Sequence, residues 1–153
     1  LTRTCGRPGR IRRLPWRVVQ TALVGGTTPI PLLEDLLGSW PDLRVNIDCK
    51  SDAAVGALVS TLRRCGALDR VAVGAFDDLR LKRLRVALGN GLCTSLGPVG
   101  VAALRLGLPG TALNRGAHAA QVPVRQGPLT VVDEVFVQRS HARGLQVHVW
   151  TID

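Results

Sequence analysis

The sequence contains no methionine and is poor in aromatic residues. Its 153 residues include three tryptophans, two phenylalanines and no tyrosine. Because translation starts with methionine, we expect either that processing removed an N-terminal segment or that the chain is an internal fragment. With 46% hydrophobic and 20% charged residues, the chain is too apolar to be disordered as a whole. Its length corresponds to about one globular domain.

Long apolar runs and cysteine motifs are also missing. The uninterrupted apolar stretches are a handful of residues long, whereas a membrane-spanning helix needs about 20, so we expect no membrane span. The four cysteines, Cys5, Cys49, Cys65 and Cys93, form no C-x-x-C pair and lack a histidine at zinc-ligand spacing. We interpret them as free thiols, which favours a reducing compartment and predicts a cytoplasmic location.

The basic N-terminal segment lacks acidic residues. The formal net charge is +9, and six of the arginines lie within residues 1–17: Arg3, Arg7, Arg10, Arg12, Arg13 and Arg17. A basic stretch of this kind can indicate nucleic-acid binding. However, only 3% of the residues are aromatic, which leaves little to stack on bases, and GC-rich coding alone favours arginine. We therefore predict that nucleic acid is not a partner.

From residue 43 onward, short apolar segments alternate with helical ones. The apolar segments are rich in β-branched residues, which is typical of buried parallel strands. Five strands are predicted: Leu43–Cys49, Arg70–Phe76, Gly91–Leu96, Ala119–Val124 and Leu145–Ile152. Alternating strands and helices form either a (β/α) barrel or a doubly wound open sheet. No G-x-G-x-x-G motif follows a strand, so the pattern favours the barrel.

Capping residues and glycines delimit the predicted helices. The first helix is predicted over Ile30–Leu37. Three more follow: one capped by Ser51 or Asp52 that runs to Cys65, one from Asp77 to Gly89, and one over Val99–Leu106. Thr130 and Asp133 form a capping box that begins the last helix, which ends at Gly144. Residues 1–28 are rich in glycine, proline and arginine and show little periodicity. Residues 107–117 have the composition of a poorly ordered segment.

The carboxyl ends of the predicted strands carry the candidate site residues, because active sites of parallel α/β folds lie there. In chain order, these residues are Asp48, Lys50, Phe76, Asp77, Thr94, Ser95, Gln121, His148, Trp150 and Asp153.

Asp48 and Lys50 lie on the same side of the first predicted strand. Alternate residues of a strand face the same way, so Asn46, Asp48 and Lys50 share one face. If these side chains point inward, each unsatisfied polar group costs roughly 2 to 7 kcal/mol, so we expect them to be paired. Two interpretations are open: a structural ion pair, or a carboxylate that holds a divalent metal beside an ammonium that holds a phosphate.

The last predicted strand carries a second set of polar residues. Gln146, His148 and Trp150 share one face of this strand. Trp150 is either a core residue or part of the candidate site, and we expect His148 to be an interior histidine with satisfied hydrogen bonds rather than a catalyst. His118, in a loop, and His141, on a helix, are expected to face solvent.

Four segments occur in the order seen in the glycerophosphodiester phosphodiesterase family, which the chain therefore resembles. They are Pro29–Leu37 (PIPLLEDLL), Val45–Lys50 (VNIDCK), Val73–Asp77 (VGAFD) and Val147–Asp153 (VHVWTID). Residues 1–6 also resemble the segment that follows the family's His-Asp motif. The resemblance extends over the whole chain.

The resemblance implies an α/β fold, namely a partial TIM (β/α)8 barrel of about five βα units. Residues 1–28 would be part of an insertion segment, and residues 29–153 the incomplete barrel domain. The implied enzyme belongs to lipid and glycerol metabolism, and it hydrolyses small-molecule glycerophosphodiesters to glycerol 3-phosphate and an alcohol with a divalent cation, Mg or Ca. Asp48 matches a metal ligand, Lys50 lines the phosphate site, and Trp150 lies beside the substrate.

The chain also departs from the family pattern. The two family histidines that act as general acid and base, and two of three metal carboxylates, would precede Leu1, while the last barrel strand would follow Asp153. Asp48 stands where Glu is commoner, and Ala75 replaces the usual Ser before Phe76. We therefore assign no catalytic residue within the chain and expect an active parent enzyme but an inactive part. Alternatives are a non-catalytic remnant, a partner-binding half-barrel and a basic nucleic-acid module.

Overall fold

The computed structural model describes residues 1–110, 115–150 and 152. Four residues of the segment predicted to be poorly ordered, together with the candidate site residue Asp153, lie outside this range. The chain divides into two compact units, Leu1–Pro41 and Asp42–Asp153. The predicted boundary after residue 28, between the family's insertion segment and its barrel domain, is a different division and stays a prediction. No helix in the described part of the chain is long and apolar enough to cross a membrane.

The first unit consists of short elements joined by turns. In order they are α1 (Thr2–Cys5), a 3-10 turn (Ile11–Arg13), α2 (Trp16–Val19), β1 (Leu23–Val24), β2 (Thr28–Pro29) and α3 (Leu33–Ser39). β1 and β2 pair antiparallel, and Gly25 and Gly26 form their turn at φ values of 60° and 79°. α3 begins later than the helix predicted from Ile30, because a residue before proline disfavours helical backbone.

The second unit alternates strands and helices, as predicted. In order they are β3 (Val45–Asp48), α4 (Ala53–Arg64), β4 (Val71–Gly74), α5 (Asp78–Leu88), β5 (Cys93–Thr94), α6 (Pro98–Leu106), β6 (Ala119–Pro123), β7 (Arg125–Gln126), β8 (Leu129–Thr130), α7 (Glu134–His141) and β9 (Gln146–Trp150). Turns of 3-10 helix, Leu68–Arg70 and Gly89–Gly91, lie before β4 and β5. The five predicted strands are confirmed but shorter, because continuous pairing within the described residues covers only these ranges.

Five strands of the second unit, β3, β4, β5, β6 and β9, pair in parallel and in chain order. β3 pairs with β4, β4 with β5, and β6 with β9. A single parallel bridge between Ser95 and Ala119 joins β5 to β6, and the amide of Leu96 donates to the carbonyl of Ala119 at 2.7 Å. β7 and β8 form a separate antiparallel hairpin after β6. Strand order therefore follows β3, β4, β5, β6, β9.

Two side-chain contacts show that this parallel sheet is strongly curved. Gln121 Nε2 on β6 donates to Asn46 Oδ1 on β3 at 3.1 Å, although three strand spacings separate these strands. In a flat sheet the two backbones would be about 14 Å apart, which is beyond the combined reach of the side chains. The Phe76 and Trp150 rings likewise meet across three strand spacings. We call the side that carries Asn46, Gln121 and Trp150 the concave face.

The opposite, convex face of the sheet forms the core with the helices. One buried cluster joins strand residues to α6 and α7: Leu96, Leu104, Ala120, Val122, Val131, Phe136 and Leu145. Val73, Leu62, Leu81 and Leu84 are also fully buried. Burial of these apolar side chains is the main favourable contribution to folding of this unit.

Three predicted helix starts have different outcomes. Asp77 is confirmed as the cap of α5, because its Oδ1 accepts a bond from the Arg80 amide at 2.8 Å. Asp52 precedes α4 but makes no capping bond; Arg80 binds its carboxylate at 2.8 Å. The predicted Thr130 to Asp133 capping box is wrong, since Asp133 itself caps α7 through the Phe136 amide at 2.8 Å. Only at Asp52 does a side chain from another helix replace the capping bond.

Candidate functional site

The concave face has small residues at its centre and functional groups on both flanks. The strand registers place five small residues side by side in the middle: Ala72, Gly74, Cys93, Ser95 and Ala119. Asn46 and Asp48 lie on the β3 flank, while Gln121 and His148 lie on β6 and β9. Small central residues let side chains of the two flanks approach one another above the sheet.

Asp48 and Lys50 form an ion pair at the carboxyl end of β3. Lys50 Nζ lies 3.4 Å from Asp48 Oδ2, and the two side chains are 80% and 40% exposed. The predicted pairing is confirmed, and the pair lies at an open end of the concave face. An exposed pair of this kind contributes only about 0–1 kcal/mol to stability. Its groups can therefore bind a ligand at little cost to the fold.

An amide and imidazole network crosses the concave face. Gln121 Nε2 lies 3.1 Å from Asn46 Oδ1 and 3.4 Å from His148 Nδ1, and His148 Nε2 lies 3.2 Å from Gln146 Oε1. A carboxamide nitrogen can only donate, so His148 Nδ1 accepts and its Nε2 carries the proton. His148 is thus satisfied by hydrogen bonds, as predicted, but its side chain lies at an exposed position rather than in the interior.

Two aromatic residues lie together at the rim of the concave face. Phe76 follows β4, Trp150 ends β9, and their ring centroids are 6.0 Å apart with an interplanar angle of 81°. This edge-to-face geometry is favourable for aromatic pairs. Phe76 is 69% exposed and Trp150 38% exposed, so Trp150 is not a core residue. The pair offers an apolar surface beside the polar groups.

Comparison with known proteins identifies the family. The family model described as "Glycerophosphoryl diester phosphodiesterase family" matches residues 1–153. The chain belongs to this family. The resemblance seen in the four sequence segments is thereby confirmed, and so is an α/β fold of a TIM-barrel family.

Individual relatives agree with the family assignment. "Probable glycerophosphodiester phosphodiesterase 2" of Mycobacterium tuberculosis is 38% identical over 157 residues, covering 97% of this chain and 58% of that protein. A crystal structure from Galdieria sulphuraria, assigned as a glycerophosphodiester phosphodiesterase, matches with a TM-score of 0.69 at 22% identity, over 94% of this chain and 59% of that one. A crystal structure from Agrobacterium tumefaciens, assigned as a glycerophosphoryl diester phosphodiesterase, matches with a TM-score of 0.70 at 21% identity, over 98% of this chain and 64% of that one. The two structures show likeness of fold alone.

The phosphodiesterase-family chain spans little more than half the length of the curated relative. Among its described residues, no group of three or more His, Cys, Asp or Glu side chains could hold a metal ion. Asp48 supplies one carboxylate, and the nearest charged group that contacts it is the Lys50 ammonium. One carboxylate beside a cation is not a complete site for Mg or Ca, which take about six or more oxygen ligands.

The remaining candidate residues have other roles. The Asp77 carboxylate caps α5. Thr94 is buried on the convex face, where its Oγ1 accepts from Arg85 Nε at 2.8 Å and donates to the Gly116 carbonyl at 3.1 Å. His118 and His141 are exposed, as predicted. The pairing of Gln121 with Asn46 is absent from the sequence-based predictions, since the two residues are 75 positions apart.

Proposed function

We propose that this chain provides part of the substrate site of a metal-dependent glycerophosphodiester phosphodiesterase, which releases glycerol 3-phosphate and an alcohol. The observation that carries the proposal is the concave face, where the Asp48 and Lys50 pair lies at the same edge of the sheet as the Phe76 and Trp150 pair. A phosphodiester carries one negative charge and two organic substituents, so a cation next to an apolar surface matches its chemistry.

Within this proposal, the second unit is five βα units of a TIM barrel, and residues 1–28 belong to the insertion segment. The curved parallel sheet in chain order supports this assignment. The general acid and base are contributed from outside this chain, so the chain alone is inactive while the full-length protein is active. The enzyme acts in lipid and glycerol metabolism.

Three side chains receive roles. Lys50 Nζ binds the phosphate, since this 80% exposed ammonium can leave Asp48 for a stronger anion. Trp150 contacts the organic part of the substrate, with Phe76 beside it. Asp48 supplies one ligand of a divalent cation, Mg or Ca, whose other ligands come from outside the described residues. Such a cation would stabilise negative charge that develops on the phosphate oxygens.

Lysine variants test the phosphate role, because the chain has one lysine at the site and one elsewhere. In the full-length protein, Lys50→Met should lower kcat/KM for glycerophosphocholine by about 10- to 100-fold, as expected for loss of a charge-assisted bond. Lys82→Met, which removes the exposed lysine of α5, is the matched control and should change kcat/KM less than twofold. Equal behaviour of the two variants would overturn the role of Lys50.

Aspartate variants test the metal role in the same way. Asp48→Asn should weaken Mg or Ca binding by the full-length protein, measured by isothermal titration, while Asp69→Asn at an exposed position should leave binding unchanged. The 153-residue chain should bind the cation much more weakly than the full-length protein and should not hydrolyse glycerophosphocholine. Metal-dependent hydrolysis by the chain alone would contradict the proposal that its catalytic groups lie elsewhere.

Two further expectations stay predictions. A cytoplasmic location rests on the cysteines, and Cys5, Cys49, Cys65 and Cys93 are all free. The absence of a nucleic-acid partner rests on composition, while the six N-terminal arginines are exposed. Salt-dependent binding of duplex DNA that is lost on deletion of residues 1–17 would contradict the second of these.

A further inference from the structure

Gln121 is oriented by a set of hydrogen bonds that uses both protons of its amide nitrogen. One proton is directed to Asn46 Oδ1 at 3.1 Å and the other to His148 Nδ1 at 3.4 Å. Both partners are acceptors at these atoms, because the Nε2 proton of His148 is directed to Gln146. The network therefore determines where the other amide atom, Oε1, must lie. No donor among the described residues reaches Oε1.

The position of Oε1 is marked by a glycine on the neighbouring strand. A Cβ atom on Gly74 would lie 2.7 Å from Gln121 Oε1, so a side chain at this position would displace the amide oxygen from where it lies. Gly74 is also the register partner of Asp48 in the β3 and β4 pairing. Adjacent strands are about 4.8 Å apart, so the oxygen lies over the residue next to the Asp48 and Lys50 pair.

We propose that Gln121 Oε1 accepts a hydrogen bond from a hydroxyl group of the substrate's glycerol moiety and thereby selects glycerol-containing phosphodiesters. This inference rests on the proposed function. Lys50 has the chemistry to bind a phosphate, and a glycerol hydroxyl lies only a few bonds from the phosphorus. A neutral amide oxygen is suited to a hydroxyl, since it accepts a proton without attracting a cation. Gln121 is only half-buried, so a ligand above the sheet can reach it.

Asn46 and His148 act in this proposal as positioning residues. They contact Nε2 rather than the substrate, and they prevent the amide from presenting its donor nitrogen over Gly74. An amide that is free to rotate would lose part of its binding contribution through the entropy of reordering. In this proposal the charged groups bind the phosphate, and the oriented Gln121 amide binds the glycerol group beside it.

Substrate pairs separate this role from a structural one. In the full-length protein, Gln121→Met should lower kcat/KM for glycerophosphocholine by about fivefold to tenfold, the effect of one hydrogen bond. The value for bis(p-nitrophenyl) phosphate, a diester without hydroxyl groups, should change less than twofold. Gln138→Met, on the exposed side of α7, is the matched control and should leave both values unchanged.

A second variant reaches the same amide without removing any polar group. Gly74→Ala places a methyl group 2.7 Å from Oε1 and forces the amide to shift, so it should lower the glycerophosphocholine value about as much as Gln121→Met. In the Gln121→Met background, Gly74→Ala should have an effect below twofold, because the oxygen it displaces is already absent. Asn46→Ala should lower the ratio of the two substrates' kcat/KM values by a smaller factor.

The outcomes distinguish this inference from the proposed function. If the unmodified full-length protein hydrolyses neither diester, the proposed function fails. If it hydrolyses both and Gln121→Met lowers the two values equally, Gln121 has only a structural role and the inference alone is wrong. Independent effects of Gly74→Ala and Gln121→Met would also overturn it. Loss of the glycerophosphocholine preference in both single variants, with no further loss in the double variant, would support it.

Discussion

The convex and concave faces of the parallel sheet come from the same strands yet have opposite chemistry. The convex face is mostly apolar, is covered by helices and packs against the fully buried Phe136 of α7 and Leu104 of α6. The concave face carries an amide, an imidazole and an exposed ion pair. Because side chains alternate along a strand, one residue packs in the core and the next belongs to the proposed binding face. Substitutions should therefore separate into two classes by the face they alter.

The largest expected difference is between the two phenylalanines. Phe136→Ala removes a fully buried ring and should lower the free energy of unfolding by about 3–5 kcal/mol. Phe76→Ala removes a ring that is 69% exposed and should cost below about 1 kcal/mol, mainly through its contact with Trp150. Urea unfolding of both variants measures the two values. Similar losses would show that the concave rim also stabilises the fold.

Glycine substitutions should change stability in opposite directions. Gly97→Ala would place a Cβ 2.5 Å from the Asp78 carboxyl carbon, and this buried carboxylate accepts from the Val99 amide at 3.0 Å. The expected loss is about 1–3 kcal/mol. Gly56→Ala, within α4 and with nothing near its Cβ position, should instead stabilise by about 0.5–1 kcal/mol through helix propensity. Unfolding midpoints that shift in the same direction would contradict this close approach.

Two carboxylates offer a smaller contrast. Asp133 caps α7 and lies 2.8 Å from an Arg105 nitrogen, so Asp133→Ala should cost about 1–2 kcal/mol. Asp48→Ala breaks only the exposed pair with Lys50 and should change stability by less than about 0.5 kcal/mol. Thermal unfolding by calorimetry is the measurement. A large loss for Asp48→Ala would assign that residue to the fold rather than to the site.

Cysteine labelling gives the smallest contrast. Burial raises the pKa of the Cys93 thiol, so its thiolate is scarce at pH 8 and iodoacetamide labelling should accelerate as the pH rises towards 10. Cys49 is 3% exposed on the convex side of β3 and should react more slowly than Cys93 at every pH. Mass spectrometry of the native protein gives both rates. Faster labelling of Cys49 would show that the β3 end opens towards solvent.

Local patterns explain why the parallel strands and most helices could be predicted. Valine-rich runs such as Val71–Val73 are followed by polar caps such as Asp77, and both signals are read from neighbours in the sequence. The hairpin of β7 and β8 has strands of two residues, which are too short to show a period. The Asp52 carboxylate binds Arg80 from another helix instead of capping its own, and no local signal indicates that.

The sequence predicts which residues lie at the candidate site better than it predicts how exposed they are. Strand ends and alternation place Asp48, Lys50 and Trp150 on one face, but they do not show that this face is open. The sequence also does not predict that charged side chains are buried on the convex side of the sheet. There, burial lowers the pKa of Arg85 while the charge of Asp78 raises it, and the Arg85 guanidinium binds the Ser95 carbonyl at 2.8 Å. Long-range contacts determine both environments.

The hydrogen bond between Gln121 and Asn46 also bears on the order of folding. It joins residues 75 positions apart and requires four strands to be assembled with the correct curvature. Contacts of such high sequence separation carry a large loop-closure entropy, so we expect this one to form after the local βα units. Pulse-labelled refolding should then show late NMR protection of the Gln121 side-chain amide. The same hydrogen bond that orients the Gln121 amide for ligand binding would thus form only when these four strands are assembled.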